Sequence, residues 1–151
     1  MKILFIGVTG LISSACSQLA IERGHDLYIL NRSETVKYSI PEGAHMLRGD
    51  VHGDPHELSG LFRGMEFDSV VDWIAYVPND IERDINLFGG KTKQFVFISS
   101  ASAYQKPPAH YLITENTPLS NPYWQYSRDK IACEERLMTE YQDNGFPVTI
   151  V

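Results

Sequence analysis

A chain of 151 residues, 43% of them hydrophobic and 21% charged, is long enough for one domain with its own core. Its formal net charge of −6 argues against a nucleic-acid or anionic-membrane surface, because phosphate-rich partners select basic patches. Nor does it contain a low-complexity run, an internal repeat or the ~20-residue apolar segment that a membrane span needs.

Lys2–Ile6 (KILFI) reads as a strand buried on both faces. It runs into Gly7-Val8-Thr9-Gly10-Leu11-Ile12-Ser13, a glycine turn of spacing G-x-x-G-x-x-S that opens a helix. Strand, glycine turn and helix together hold a dinucleotide pyrophosphate. Gly7 permits the turn, Gly10 keeps a Cβ out of the path of the phosphates, and the helix points free N–H groups at the anion. Ser13 stands where a third small residue lets helix close on strand. The candidate cofactor contacts of this segment are Gly7, Thr9, Gly10, Leu11 and Ile12. An apolar run ending at Cys16 superficially resembles an export signal, but Gly7, Thr9 and Gly10 interrupt it.

Leu11 to Arg23 predicts a helix with Ile12, Cys16, Leu19 and Ala20 as its apolar face and Gly24 as its stop. Cys16 and Cys133 are too distant for metal spacing and read as small apolar residues of a reduced, cytoplasmic protein. Asp26 to Leu30 predicts a second strand that ends on Asn31-Arg32-Ser33. An acidic side chain at that end binds the adenosine ribose and repels a 2′-phosphate. Asn31 removes the repulsion and the Arg32 fork suits a phosphate, so NADP is favoured over NAD, with Asn31, Arg32 and Ser33 as contacts. Arg32 as an ordinary exposed loop residue keeps NAD open.

A third strand near 44–48 precedes a loop from Arg48 to His56 in which acids and imidazoles alternate. A Gly/Pro loop does not promise ligand geometry, and no metal is expected. Pro55 to Arg63 predicts a short helix capped by Asp54, Asp68 to Ala75 a fourth strand, and Ile81 to Phe88 a helix. Gln94 to Ser99 predicts a fifth strand that runs into Ser99, Ser100 and Ser102. After a polar loop to about Pro122, Tyr123 to Gln142 predicts a long helix with Ile131, Leu137, Met138 and Tyr141 on its apolar side. Trp73, Trp124 and the tyrosines around Pro122 read as packing residues. Pro147 to Val151 begins a sixth strand. Alternation at this pitch means an α/β protein with a doubly wound parallel sheet. Because the chain stops within that strand, it is expected to be part of a longer protein: 1–151 a dinucleotide-binding domain, with a C-terminal substrate domain outside it.

Tyr126-Ser127-Arg128-Asp129-Lys130 puts a tyrosine and a lysine on one helix face. A lone phenol titrates near ~10 and is a poor acid–base group at neutral pH, whereas a neighbouring ammonium stabilises its phenolate. Alone, Tyr-x-x-x-Lys also describes a solvated helix face. Following a glycine turn and a serine cluster at the carboxyl end of a strand, it describes a reactive pair.

These motifs resemble those of the extended short-chain dehydrogenase/reductases, particularly nucleotide-sugar epimerases and dehydratases. The resemblance spans the chain and rests on Gly7-x-x-Gly10-x-x-Ser13, Gly49-Asp50-Val51, Asp68–Asp72 (DSVVD), Phe97–Tyr104 (FISSASAY) and Tyr126–Lys130 (YSRDK). It implies a Rossmann fold that binds NAD(P). Tyr126 would be the general acid/base, Lys130 its partner and a ligand of the nicotinamide ribose, and Ser100 the substrate hydroxyl, with Ser102 as second choice. Asp50 and Val51 would contact the adenine, and Ala75 and Ser99 would lie beside the cofactor. The implied partner is a small nucleotide-sugar-like substrate, epimerised, dehydrated or reduced, and a homodimer is left open. The chain departs from the family at Ser13 and at Asp72-Trp73-Ile74-Ala75-Tyr76, where a histidine and paired alanines are usual. Such divergence resembles an atypical branch, for which the rival expectation is an NADP(H)-binding regulator or redox sensor without catalysis.

Overall fold

The computed structural model describes residues 1–8, 10–32 and 39–151. Its strands are β1 (Lys2–Ile6), β2 (Asp26–Asn31), β3 (His45–Arg48), β4 (Ser69–Asp72), β5 (Phe95–Phe97) and β6 (Val148–Ile150). Four α-helices connect them among the described residues: α1 (Leu11–Glu22), α2 (Pro55–Leu61), α3 (Pro78–Phe88) and α4 (Gln125–Asn144). The six strands pair in the order β3-β2-β1-β4-β5-β6, and every neighbouring pair is parallel. This is the doubly wound sheet expected from the alternation of strands and helices. The order reverses between β1 and β4, which opens a crevice at the carboxyl ends of those strands.

Alternation along β1 divides the core in two. Leu4 and Ile6 join Leu58, Phe62, Ile81, Phe88, Cys133 and Leu137 on the face covered by α2, α3 and α4. Ile3 and Phe5 join Leu27, Ile29 and Ala20 on the face covered by α1. A strand buried on both sides must be apolar at successive positions, and KILFI is.

Two helices turn differently from the expected apolar faces. On α1 the buried residues are Ser13, Ser17 and Ala20, whereas Ile12 is 68% and Leu19 44% exposed. Small side chains let this helix seat close to the sheet, and Ser17 stays satisfied by donating to the Ser13 carbonyl at 2.8 Å. On α4 the buried residues are Ser127, Lys130, Cys133 and Leu137, while Met138 and Tyr141 are exposed. Ser127 and Lys130, whose polar atoms find partners across the helix–sheet junction, share the interior face with Cys133 and Leu137. The helix ends on Gly145 at φ 70, a left-handed C-terminal cap that glycine adopts without strain.

The fourth strand is shorter than expected. It stops at Asp72, whose carboxylate folds forward to accept the Ile74 N–H at 2.6 Å, so that 73–77 is a loop. α3 begins earlier than expected, at Pro78, which needs no N–H acceptor in a first helical turn. Trp73 packs edge-on against Phe5, but Tyr123 and Trp124 are exposed rather than packed inside. Both cysteines are free, and burial pushes the Cys133 thiol up to about 12. Among the described residues no helix is long and apolar enough to cross a membrane, and no group of three or more His, Cys, Asp or Glu side chains is arranged to hold a metal ion.

If small residues are what seat α1, Ser17→Leu should cost about 1–3 kcal/mol in urea unfolding by overpacking. The solvent-facing Ile12→Ser should stay within about 0.5 kcal/mol of the parent.

Candidate active site

The glycine turn is built as the crevice requires. Gly7 has φ +83, and a Cβ there would come within 2.5 Å of the Ile74 side chain. At Gly10 a Cβ would meet only Ser13 Oγ, at 3.6 Å, so the backbone is open to an approaching group. Ser13 does more than fit. Its hydroxyl accepts the Gly10 N–H at 3.1 Å and donates to the Gly10 carbonyl at 3.2 Å. Leu11 and Ile12 follow as the exposed first turn of α1, where N–H groups lack intrahelical partners. Thr9 and Ser33 lie outside the described residues.

Asn31, at the end of β2, lines the crevice, but its carboxamide is committed to the protein. Its Oδ1 accepts the Val8 N–H at 2.9 Å and its Nδ2 donates to the Val8 carbonyl at 3.2 Å. An amide matches a peptide group in both senses, whereas a carboxylate would face that carbonyl without a proton to offer. This is a physical reason for asparagine here that the sequence alone does not reveal. Beyond it lies a cavity of about 350 Å³ whose walls include Gly7, Arg32, Asp50, Val51, His52 and Tyr76. Arg32 Nη1 stands 4.0 Å from Asp50 Oδ2, both side chains being largely exposed. Asp50 Oδ1 accepts the His52 N–H at 3.0 Å, and Val51 is buried.

Behind the cavity is a buried charge cluster that the sequence reading missed. Arg83 on α3 reaches Asp72 at 2.7 Å, Asp84 at 2.8 Å and Asp80 at 3.1 Å. Asp80 also faces His52 Nδ1 at 3.3 Å, and its other oxygen accepts the Tyr76 and Val77 N–H groups. Asp72 and Asp80 thereby hold the N–H groups of Ile74, Tyr76 and Val77 in 73–77, the loop that carries Ile74 and Tyr76 into the cavity. Burial pushes the Asp84 carboxyl well above the ordinary range, and the neighbouring Asp72 charge adds to that, while Arg83 opposes it. One signal was readable in the sequence: Asp80, Arg83 and Asp84 share a face of α3, downstream of an acid that ends a buried strand.

The tyrosine–lysine pair lies at the carboxyl ends of β4 and β5. Lys130 is only 2% exposed, and its ammonium donates to the Ala75 carbonyl at 2.6 Å and the Ile98 carbonyl at 2.7 Å. Ala75 therefore meets the site through its backbone. Burial lowers the Lys130 pKa, and the nearby Cys133, Asp72, Asp80 and Glu134 oppose that effect. Its nitrogen lies 5.1 Å from the centre of the Tyr76 ring and 5.8 Å from that of Tyr126. Tyr126 sits between Trp124 at 4.8 Å and Tyr76 at 6.3 Å, measured between ring centres.

The same face of α4 is stitched to the serine segment. Ser127 donates to Ser102 at 2.9 Å, Ser102 and Ser100 lie 2.8 Å apart, and Ser99 bonds Glu134. Residues 127, 130 and 134 thus contact 98, 99 and 102. The two halves of the sequence-derived site meet at Tyr76, which lines the cavity and also touches the tyrosine–lysine pair.

The model of the NAD dependent epimerase/dehydratase family matches residues 3–151. The chain belongs to that family. A UDP-glucose 4-epimerase of Streptomyces lividans is 27% identical over 163 residues, covering 95% of this chain and 49% of the relative. One from Corynebacterium glutamicum is 27% identical over 150 residues, covering 89% and 45%. Among solved structures, the UDP-Glc/GlcNAc 4-epimerase of Campylobacter jejuni superposes with a TM-score of 0.84 at 22% identity, covering 99% of this chain and 52% of that one. A UDP-glucose 4-epimerase of Bifidobacterium longum, in complex with NAD+ and UDP, superposes at 0.81 with 17% identity, covering 99% and 52%. This family member thus spans about half the length of the relatives it matches, and the structural likeness extends to the fold.

The Asp84 assignment has a sign that unfolding can test. A carboxyl that keeps its proton in the folded state stabilises it most at low pH. That contribution is lost as the pH rises from the ordinary carboxyl range toward the raised folded value, at up to about 1.4 kcal/mol per pH unit. The stability of Asp84→Asn relative to the parent should therefore increase between pH 5 and pH 8 in urea titrations; a constant difference would mean an ionised Asp84.

Proposed function

We propose that this chain is the dinucleotide-binding part of an NAD(P)-dependent enzyme that epimerises, dehydrates or reduces a nucleotide-sugar-like substrate. The observation that carries the reading is the buried Lys130 ammonium beside the Tyr126 ring, on the helix face stitched to the serine segment at the carboxyl ends of β4 and β5. The 45–52% coverage of the relatives' own lengths supports a further substrate-binding part outside residues 1–151.

The residues fit a dinucleotide. Gly7 and Gly10 leave a cradle that a Cβ at Gly7 would close, α1 presents its first-turn N–H groups, and Asp50 and Val51 wall the cavity suited to adenosine. A bound nicotinamide supplies or takes up hydride at the substrate carbon. Tyr126 moves the proton of the substrate oxygen, and the Lys130 charge stabilises the negative charge that develops on the phenol oxygen. Ser100 hydrogen-bonds the same substrate oxygen. Asn31 holds the turn through Val8, and the Asp72 and Asp80 carboxylates hold the loop bearing Ala75.

NAD is the first reading of the cofactor, because the Asp50 carboxylate stands by Arg32 where a 2′-phosphate would compete with it. NADP is the second, carried by the exposed Arg32 guanidinium and by the missing carboxylate at Asn31. A cofactor-binding regulator without turnover also keeps support from Asp72-Trp73-Ile74, where Ile74 closes over Gly7.

Titration with NADH and NADPH, followed by quenching of Trp73 and Trp124, should saturate with NADH the tighter. Tighter NADPH would transfer the assignment to Arg32, and no binding of either would remove the reading. Residues 1–151 alone should show little or no turnover. In the longer protein with a UDP-sugar, Tyr126→Phe should lower kcat about 10²–10⁴-fold and leave NADH affinity intact; an unchanged kcat would unseat Tyr126.

A further inference from the structure

A chain of hydroxyls leads from Asn121 to Ser100. Asn121 is buried, and its amide has one possible orientation. Its Oδ1 accepts the Tyr123 N–H at 3.1 Å, while Nδ2 donates to the Ser102 carbonyl at 2.8 Å and to Ser127 Oγ at 3.2 Å. A backbone N–H can only donate and a carbonyl can only accept, so exchanging the amide oxygen and nitrogen would oppose like groups at both ends.

That fixed amide gives the chain a direction. Ser127, fully buried, accepts from Asn121 and sends its own proton to Ser102 Oγ at 2.9 Å. Ser102 has then accepted; its 2.8 Å contact with Ser100 Oγ admits either donor, and only Ser102 donating gives the Ser102 proton an acceptor among the described residues. The Ser100 oxygen also accepts the Ser102 N–H at 3.2 Å. Both of its lone pairs are used, and among the described residues no acceptor takes its proton. Ser100 is half-buried, so that proton is left for the cleft.

We propose that Asn121, Ser127 and Ser102 are positioning residues that set the polarity of this chain, so that Ser100 meets the substrate as an obligate hydrogen-bond donor. This rests on the proposed role of Ser100. An obligate donor favours a substrate oxygen on which negative charge develops, such as a carbonyl being reduced or a hydroxyl giving up its proton. It disfavours a group that offers only a proton. The relay also couples Ser100 to α4 at the residue next to Tyr126, so the donor and the proton-transfer group are held by one helix.

Neutron diffraction from a deuterium-exchanged crystal of this chain tests the direction without any turnover. The deuterium of Ser127 should point to Ser102, that of Ser102 to Ser100, and that of Ser100 into the cleft. A Ser100 deuterium lying on Ser102 Oγ would overturn the proposal, whatever becomes of the proposed reaction. Asn121→Asp replaces the Nδ2 donor by an oxygen that accepts the Ser127 proton and should reverse all three deuterium positions. Because that oxygen also faces the Ser102 carbonyl, circular dichroism checks the fold, and the Ser102 variants supply the test if it is lost. In UDP-sugar turnover by the longer protein that includes the substrate-binding part, the same variant should lower kcat about 10²-fold, as Ser100→Ala should, with KM within about twofold of the parent. Ser102→Ala should likewise lower kcat, and Ser102→Thr, which keeps a hydroxyl, should restore most of it. An Asn121→Asp protein of unchanged kcat would overturn the relay.

Discussion

Two backbone carbonyls and one buried ammonium hold this site together. Lys130 reaches from α4 across the ends of two adjacent strands, binding Ala75 beyond β4 and Ile98 beyond β5. A lysine that is 2% exposed costs several kcal/mol to desolvate unless its protons find acceptors, and these carbonyls, freed where the strands end, are such acceptors. The contact cannot form unless α4 lies at one height and rotation over the sheet. Those same settings bring Ser127 to Ser102 and Glu134 to Ser99. Because Tyr126 rides on the same helical turn, its ring is carried to the crevice by interactions it does not itself make.

The loop after β4 is governed by a different balance. Arg83 meets three carboxylates in a place where water is scarce, so the cluster holds more negative charge than one guanidinium offsets, and burial together with the Asp72 charge pushes the Asp84 carboxyl well above the ordinary range. The remaining acceptor capacity of Asp72 and Asp80 goes to the N–H groups of Ile74, Tyr76 and Val77. The loop that lines the cavity is thus held by charge as well as by the packing of Trp73, Ile74 and Ala75 against the core. Ile74 can then lie against Gly7, and Tyr76 can stand between the cavity and the tyrosine–lysine pair.

Much of this fold was legible in the chain. KILFI and the LYIL of the second strand are apolar on both sides as central parallel strands must be, the fourth strand carries Val70 and Val71 between polar ends, and Gly7 and Gly145 mark positions where φ is positive. Helix faces were less legible. Ile12, Leu19, Met138 and Tyr141 look like core by hydrophobicity and are exposed; Ala20 and Leu137 are buried as expected, but the rest of the buried stripes runs through serines, a cysteine and a lysine. Periodicity ranks residues by their own transfer energy, whereas the faces here are chosen by closeness to the sheet and by hydrogen bonds made at its edge.

Composition, periodicity and the glycine turn by themselves determined a parallel α/β sheet, a phosphate-type turn after the first strand, and a tyrosine and lysine on one helical face. These follow from local rules: the two-sided burial of a strand, the freedom of glycine, the pitch of a helix. The tertiary structure alone decided that Asn31 faces a peptide group, that Arg83 gathers Asp72, Asp80 and Asp84, and that Asn121 orients a line of serines. In each of these a side chain meets a partner far along the chain, or a backbone atom whose direction depends on the fold. A polar side chain can bond to many things, and only the assembled sheet and helices decide which partner lies within 3 Å of it.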